Sequence, residues 1–215
     1  MTRVKICGIT RPDDARRAAE LGAWALGLIF WPHSPRACLI EDAEAIGAEL
    51  HRRLEVTGVF VNATLDEIAL TADRCSLTLL QLHGDEGPAF CREAARRTGC
   101  RVMKAVRVRD AAQIADLRRF HTDFHLLDAY SPRGPGGTGE TFSWDLATLH
   151  PPEPPVVLSG GLDPDNVGEA IGVARPFAVD TASGTEAEPG RKDPARLTAF
   201  FRAVEAAGPV PSPSA

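Results

Sequence analysis

The sequence has little of what a membrane protein or a nucleic-acid-binding protein needs. No run approaches the roughly 18 consecutive apolar residues of a membrane span. The first ten residues, MTRVKICGIT, do not form a secretory signal, because their apolar run is short and is broken by Lys5. Lys and Arg together number 24 against 29 Asp and Glu, and they form no basic cluster. We therefore expect neither a membrane nor a nucleic acid as a partner.

The cysteines show no pairing pattern. They are Cys7, Cys38, Cys75, Cys91 and Cys100, and no two of them form a Cys-x-x-Cys pair. Neither they nor the six histidines have the spacing of zinc ligands. Without an export signal, disulfides are not expected. These absences predict a cytoplasmic protein with reduced cysteines and no metal.

What the sequence does contain is a repeated alternation of strand and helix. Short apolar runs rich in β-forming residues are each followed by a polar or glycine break and then by an amphipathic helical stretch. The predicted strands are Arg3–Cys7, Ala25–Ile29, Glu55–Phe60, Leu77–Leu82, Arg101–Ala105, Phe124–Asp128, Val156–Ser159 and Phe177–Asp180. The clearest helices are Pro12–Leu21, Ile40–Leu50, Leu65–Asp73, Pro88–Thr98 and Ala111–Phe120.

Eight strands alternating with helices favour a parallel sheet. An open doubly wound sheet is the alternative. Eight is the closing number for a (β/α)8 barrel, however, and no G-x-G-x-x-G follows the first strand. We predict a single α/β domain, a (β/α)8 TIM barrel over residues 1–207, followed by a Pro/Ser-rich disordered tail at 208–215.

Helix ends are predicted from capping residues. Thr10 is the expected N-cap of the first helix, with Pro12 in its first turn. Asp163 and Asp193, each followed by proline, are expected to open the last two long helices. The sixth helix, around Trp144–Leu149, is expected to be short.

In such a barrel, the active site lies at the carboxyl ends of the strands. The predicted strand ends carry an unusual number of polar residues and glycines. They are Cys7-Gly8, Asn62, His83-Gly84, Asp128, Ser159-Gly160-Gly161 and Asp180.

Cys7 is either a buried cysteine that acts as a small hydrophobe or a reactive thiol. Strand alternation places Lys5 on the same face, about 7 Å away along the backbone. Opposite charges at that separation attract by roughly 2 kcal/mol at an effective dielectric constant near 20. This attraction predicts that the pKa of the Cys7 thiol falls toward neutrality, although burial opposes the shift.

Two aspartates end strands. Asp128 either caps a loop or acts as an acid whose pKa is raised in a site that excludes water. Asp180 has the same two interpretations, and we favour a hydrogen-bond acceptor for substrate.

The glycine-containing loops after the last two strands predict a phosphate site. Gly160 and Gly161 lie between a strand and a helix, where backbone N–H groups and the helix dipole favour an anion. Ser183 and Gly184 follow the eighth strand, and the loops after strands seven and eight form the recurrent phosphate site of barrel enzymes. A tight structural turn is the alternative.

Two further loops are candidates. The GPGGTG segment at 134–139, which includes Gly137, has the composition of a mobile lid or of a plain flexible loop. It is not a P-loop, since no Gly-Lys-Ser/Thr follows. Arg36 is suited to a bidentate grip on a carboxylate. Otherwise it is a solvated loop charge, whose removal should hardly change stability.

Together, these segments resemble the phosphoribosylanthranilate isomerase family. The match runs from residue 3 to about residue 205 and keeps the family's order and spacing. The matching motifs are KICGIT at 5–10, SPR at 34–36, GVFVN at 58–62, QLHG at 81–84, LLD at 126–128, GGTG at 136–139, LSGGL at 158–162, SGTE at 183–186 and PGRKD at 189–193.

The resemblance implies an Amadori rearrangement of a phosphorylated aminosugar in tryptophan biosynthesis, without a cofactor, by a monomer or a homodimer. It implies that Cys7 is the general base and Asp128 the general acid. It also implies that Arg36 holds the anthranilate carboxylate and that Asp180 lies near the anthranilate amine. The glycine loops are then expected to hold the phosphate. Lys5, His83 and Gly137 are the remaining expected substrate contacts.

Two segments depart from the family's pattern. Thr181-Ala182-Ser183-Gly184 stands where VSSG is expected, which leaves the phosphate contacts open. Phe142-Ser143-Trp144 stands where FDW is expected, which affects only the start of the sixth helix.

Two other functions compete with this one. The histidine-pathway isomerase performs the same type of rearrangement, but its family resembles two half-barrels, each with an aspartate and a phosphate loop. Here the first strand ends in Cys7, and residues 58–84 show no such loop. A non-catalytic barrel that binds phosphometabolites has no need to combine Cys7 with Asp128.

Overall fold

A computed structural model describes residues 1–129 and 144–208. Eight parallel strands form a closed barrel in sequence order, which confirms the predicted fold. The strands are β1 (Arg3–Cys7), β2 (Ala25–Ile29), β3 (Glu55–Phe60), β4 (Leu79–Leu82), β5 (Arg101–Val108), β6 (Phe124–Ala129), β7 (Val156–Ser159) and β8 (Ala178–Thr181). The barrel closes between β1 and β8, where Lys5 lies opposite Asp180.

Helices surround the barrel. They are α1 (Pro12–Glu20), α2 (Ile40–Leu50), α3 (Leu65–Arg74), α4 (Pro88–Thr98), α5 (Ala111–Asp116), α6 (Val167–Ala174) and α7 (Pro194–Ala206), with 3₁₀ helices at Leu117–Arg119, Trp144–Leu149 and Ser183–Thr185. The short helix predicted around Trp144–Leu149 is therefore a 3₁₀ helix. A small antiparallel hairpin, β9 (Glu186–Glu188) and β10 (Arg191–Lys192), follows β8 and was not predicted. None of the described helices is long and apolar enough to cross a membrane.

Two of the predicted helix starts are wrong. Arg11, not Thr10, is the N-cap of α1, and it makes no side-chain cap. The Thr10 hydroxyl instead donates to the carbonyl oxygen of Gly190, which ties this end of α1 to the new hairpin. Asp163 does not open α6, which begins only at Val167. The prediction for Asp193 is confirmed, since its carboxylate accepts from the first N–H groups of α7.

The interior of the barrel is apolar at one end and polar at the other. Side chains fill the amino-terminal part, and together they form a separate apolar cluster of Leu79, Met103, Ala105, Phe124, Leu126, Val157 and Ala178. Because side chains alternate along a strand, the next inward positions toward the carboxyl ends are Gln81, Asp128, Ser159 and Asp180. The fold therefore gathers its inward polar groups at one mouth of the barrel.

Parts of the prediction fall outside this description. The GPGGTG segment with Gly137 and residues 209–215 of the predicted tail lie outside the described residues.

Candidate active site

Cys7 and Lys5 lie inside the barrel on β1, with 7% and 0% of their surfaces exposed. Gly27 on β2 faces them. A Cβ atom on Gly27 would lie 2.7 Å from Sγ of Cys7 and 3.0 Å from Nζ of Lys5. Glycine at this position therefore provides the space that both functional groups occupy, and the predicted proximity of Lys5 to Cys7 is confirmed.

Lys5 also has a partner from the other end of the chain. Its Nζ donates to Oδ1 of Asp180 at 2.8 Å, and the hydroxyl of Ser159 donates to Oδ2 at 3.0 Å. Burial works to lower the pKa of Lys5, but Asp180 and Cys7 raise it above its ordinary value. Lys5 is thus a buried cation held between Asp180 and the Cys7 thiol.

The predicted direction of the Cys7 shift is wrong for this structure. Burial raises the pKa of the Cys7 thiol above its ordinary value. Lys5 acts in the opposite direction, but Asp180 raises the pKa again, and Lys192 lowers it. The sequence argument set burial against Lys5 and expected Lys5 to dominate, whereas burial is the larger effect and the carboxylate of Asp180 cancels part of the Lys5 charge.

Asp128 lies at the mouth of the barrel beside His83. Nε2 of His83 is 3.4 Å from Oδ2 of Asp128, and the two side chains are 20% and 23% exposed. The side-chain nitrogen of buried Gln81 lies 2.8 Å from Nδ1 of His83, and Nε2 is the ring nitrogen that faces Asp128. The aspartate is therefore oriented by a histidine and remains accessible from the mouth.

The loops after β7 and β8 lie against each other. The Thr181 hydroxyl donates to the carbonyl oxygen of Leu162 at 2.6 Å. A Cβ on Gly184 would collide with that same carbonyl oxygen, so only glycine allows this approach. Gly160 and Gly161 have φ angles of 99° and 66°, in the left-handed region that favours glycine. The structure thus brings both predicted phosphate loops together.

The helix contribution to this site differs from the prediction. The backbone N–H groups of Asp165 and Asn166 are bound by Oδ1 of Asp163, which forms a turn before α6 begins. These two amides are occupied by a side chain, and Asp163 therefore opens the turn before α6 rather than α6 itself.

Arg36 is not a solvated loop charge. Its Nε and Nη2 bind the two carboxylate oxygens of Glu186 at 2.9 and 2.8 Å, with the side chains 19% and 4% exposed. The Arg36 stem lies over Gly8, where a Cβ would be 2.7 Å from Cδ of Arg36. The guanidinium is therefore fixed next to the residue that follows Cys7.

The sequence model of one protein family, described as N-(5'-phosphoribosyl)anthranilate (PRA) isomerase, matches residues 4–203. The chain belongs to this family. An N-(5'-phosphoribosyl)anthranilate isomerase from Citrifermentans bemidjiense is 51% identical over 197 residues, which are 92% of this chain and 94% of the relative.

Solved structures of the isomerase family share the barrel. The phosphoribosyl anthranilate isomerase from Thermotoga maritima is 41% identical, with a TM-score of 0.85 over 96% of this chain and 100% of that chain. Another, in complex with reduced 1-(o-carboxyphenylamino)-1-deoxyribulose 5-phosphate, is 38% identical, with a TM-score of 0.82 over 96% of this chain and 100% of that chain.

Sequence reasoning missed the residues that hold the isomerase-family motifs in place. Nζ of Lys104 on β5 donates to the carbonyl oxygens of Leu82 and Gly84 and to Glu86, at 3.2, 2.6 and 2.8 Å. Glu86 in turn accepts from the N–H groups of Asn62 and Gly84. This buried pair fixes the turns on either side of His83. Its one sequence signal is a lysine between two apolar residues, Met103 and Ala105, in the middle of a strand.

Glu186 and Lys192, around the Arg36 contact, were missed in the same way. Across residues 1–129 and 144–208, no three His, Cys, Asp or Glu side chains are grouped as possible metal ligands.

Proposed function

We propose that this chain converts N-(5'-phosphoribosyl)anthranilate into 1-(2-carboxyphenylamino)-1-deoxyribulose 5-phosphate, a step of tryptophan biosynthesis. The observation that carries the proposal is the placement of Cys7 and Asp128. Both are inward-facing residues at the carboxyl ends of their strands, β1 and β6. Between these strands lie β7 and β8, whose loops contain Gly160, Gly161 and Gly184.

The chemistry requires one acid and one base. Asp128 protonates the ring oxygen of the ribose as the ring opens. The Cys7 thiolate removes the proton from C2′, which gives an enolamine that tautomerises to the ketone. The substrate and the product are isomers, so no electron acceptor or donor is consumed and no cofactor is needed. Because the thiol is buried, water does not reach the proton that the thiolate has accepted.

The two ends of the substrate have separate anchors. Glycine backbone around Gly160, Gly161 and Gly184, with the Ser183 hydroxyl, suits a phosphate group. Arg36 suits the anthranilate carboxylate, because Glu186 occupies Nε and Nη2 and leaves Nη1 available. Asp180 lies on β8, opposite Lys5 on β1. We place this activity in the cytoplasm, where the five cysteines, all free in this structure, stay reduced.

Steady-state turnover of enzymatically generated phosphoribosylanthranilate tests this function. We expect the substrate to be consumed and its ketose isomer to appear by chromatography, with undiminished activity after exhaustive dialysis against a chelator. Two outcomes contradict the proposal. Turnover of the histidine-pathway aminoaldose alone indicates the other isomerase, and binding of either compound without turnover indicates a non-catalytic barrel. Activity lost on dialysis and restored by a divalent ion contradicts the acid–base mechanism.

Arg36→Ala tests the carboxylate anchor. Loss of a charged hydrogen-bond donor should weaken substrate binding by about 1.5–3 kcal/mol, a roughly 10- to 150-fold change. The sequence analysis expected that removal of Arg36 would hardly change the stability of the protein, but the contact with Glu186 leads to a different expectation. Because buried Glu186 loses one of its two cations, the free energy of unfolding should fall by about 1–3 kcal/mol. Steady-state kinetics and urea unfolding measure the two effects.

Arg16→Ala is the matched control, since Arg16 forms only exposed pairs with Asp13 and Glu49. It should leave both measurements unchanged. An unaltered KM in Arg36→Ala would remove Arg36 from the binding site.

A further inference from the structure

Lys192 on β10 is a buried cation next to an exposed one. Its side chain is 1% exposed, whereas that of its neighbour Arg191 is 59% exposed. The sequence shows only two adjacent basic residues in a hairpin. In the structure, Arg191 faces solvent, whereas Lys192 is buried next to the candidate active site.

The Lys192 ammonium has three protons and three acceptors. It donates to the carbonyl oxygens of Cys7 and Ala182 at 2.7 and 2.9 Å, and to Oε1 of Glu186 at 3.2 Å. These acceptors belong to three different parts of the site. Cys7 carries the thiol, Ala182 begins the loop with Ser183 and Gly184, and Glu186 holds Arg36. One side chain therefore contacts the strand that carries the proposed base, the loop proposed to bind phosphate, and the glutamate that holds Arg36.

The hairpin that carries Lys192 is itself fixed. The backbone N–H of Lys192 donates to Oδ2 of Asp14 on α1 at 3.2 Å, and the Gly190 carbonyl accepts from Thr10 at 2.5 Å. These two contacts do not involve the ammonium. The Lys192 side chain therefore extends from a backbone that is already held in place, and it connects three elements of the site.

Burying a lysine costs several kcal/mol unless its charge and its protons are matched. Burial lowers the pKa of Lys192, while Glu186 and Cys7 act to raise it and Arg36 to lower it. Glu186 is shared between Lys192 and Arg36. Without Lys192, the charge of Glu186 would act on Arg36 alone and would compete more strongly with a substrate carboxylate for the same guanidinium.

We propose that Lys192 is a positioning residue of the rearrangement, which sets the distances between the Cys7 base, the phosphate loop and the Arg36 anchor. This inference rests on the proposed function. It makes two claims that a purely structural salt bridge does not make. Lys192 should control how well bound substrate is aligned with the base, and its charge should favour the Cys7 thiolate. The charged groups that face Cys7 are Lys5, Asp180, Lys192 and Arg36.

Lys192→Met removes the charge and the three donors while it keeps the length of the side chain. Misalignment of bound substrate should lower kcat/KM by roughly 10- to 100-fold. The acid limb of the pH profile should also move to higher pH, because the thiolate loses a nearby cation. Arg191→Met, on the same strand, is the control and should match the unmodified enzyme in kcat, KM and pH profile.

A second measurement does not depend on turnover. The pH dependence of Cys7 alkylation by iodoacetamide, followed by peptide mass spectrometry, reports the thiolate directly. We expect its midpoint to lie at higher pH in Lys192→Met than in Arg191→Met. If the unmodified protein has no turnover, the proposed function fails, and this midpoint still decides whether Lys192 acts on Cys7.

Two results would overturn the proposal. In the first, Lys192→Met unfolds at a lower temperature than Arg191→Met but has the same kcat, KM and midpoint of Cys7 alkylation. Lys192 would then be only a structural residue. If Lys192→Met does not fold, Lys192→Arg decides. Arginine keeps the charge, but its planar guanidinium does not place three donors tetrahedrally. The value of kcat/KM should therefore fall severalfold, while the pH midpoint of Cys7 alkylation should stay unchanged. Unchanged kcat/KM in folded Lys192→Arg rejects the positioning role.

Discussion

Cys7→Ser lowers kcat by at least about a hundredfold, because a hydroxyl with a much higher pKa replaces the thiol while the shape of the side chain is almost kept. KM should change far less, since the phosphate and carboxylate contacts remain. Steady-state kinetics on folded protein measure both values. Cys100→Ser is the control, because Cys100 lies at the outside of the barrel, with its thiol on the Leu77 carbonyl. Near-full activity of folded Cys7→Ser would require another base, and His83 would be the next candidate.

The pH dependence of the unmodified enzyme follows from the same residue. A general base acts only when it is deprotonated, and burial raises the pKa of Cys7 above its ordinary value. The kcat/KM of the free enzyme should therefore rise with pH through the alkaline range, where the thiolate forms, rather than near neutrality. This limb should be absent from the residual activity of Cys7→Ser. A plateau already complete at neutral pH would mean that the base is not the thiol in this environment.

Asp128→Asn should also reduce kcat at least about a hundredfold, because the amide keeps the shape but supplies no transferable proton to the ring oxygen. The contact with His83 can persist, since the amide has nearly the shape of the carboxylate. KM should again change little. Asp116→Asn, at an exposed aspartate paired with Arg119, is the matched control. Mass spectrometry of the variant must show that the asparagine has not deamidated.

A folded Asp128→Asn enzyme with normal kcat would remove the acid from the mechanism. The ring oxygen would then take its proton from water or from another group. The double variant with Cys7→Ser gives a further check. If the two residues act in one rearrangement, the combined loss should be smaller than the product of the separate losses.

Most of the fold could be predicted because each strand has a local signature. An apolar run bounded by a glycine or a polar break is visible in the sequence without knowledge of its neighbours. Boundaries were less certain. Leu77 belongs to the fourth apolar run, yet its N–H donates to the carbonyl oxygen of Ala72 in α3, so it ends a helix rather than beginning β4. Thr10 likewise has the composition of a cap but finds its partner in the distant hairpin.

The candidate site was predicted mainly where its residues end strands. Cys7, Asp128 and the glycine loops were selected in this way, because parallel strands bring their carboxyl ends together. The ion pairs were not found. Lys5 and Asp180 are 175 positions apart, and Arg36 and Glu186 are 150 apart. No periodicity connects such residues, so the charge around Cys7 depended on partners that spacing alone does not reveal.

The partners of β1 have a consequence for the timing of synthesis. The strand with the proposed base leaves the ribosome well before its partners, because the carboxylate that neutralises Lys5 follows 175 residues later and the lysine that binds the Cys7 carbonyl follows 185 residues later. Until then, β1 would place an unpaired ammonium in an apolar interior, which is unfavourable. This strand is therefore made long before it gains its native surroundings, and a nascent chain that has not yet reached Lys192 has no finished reaction centre.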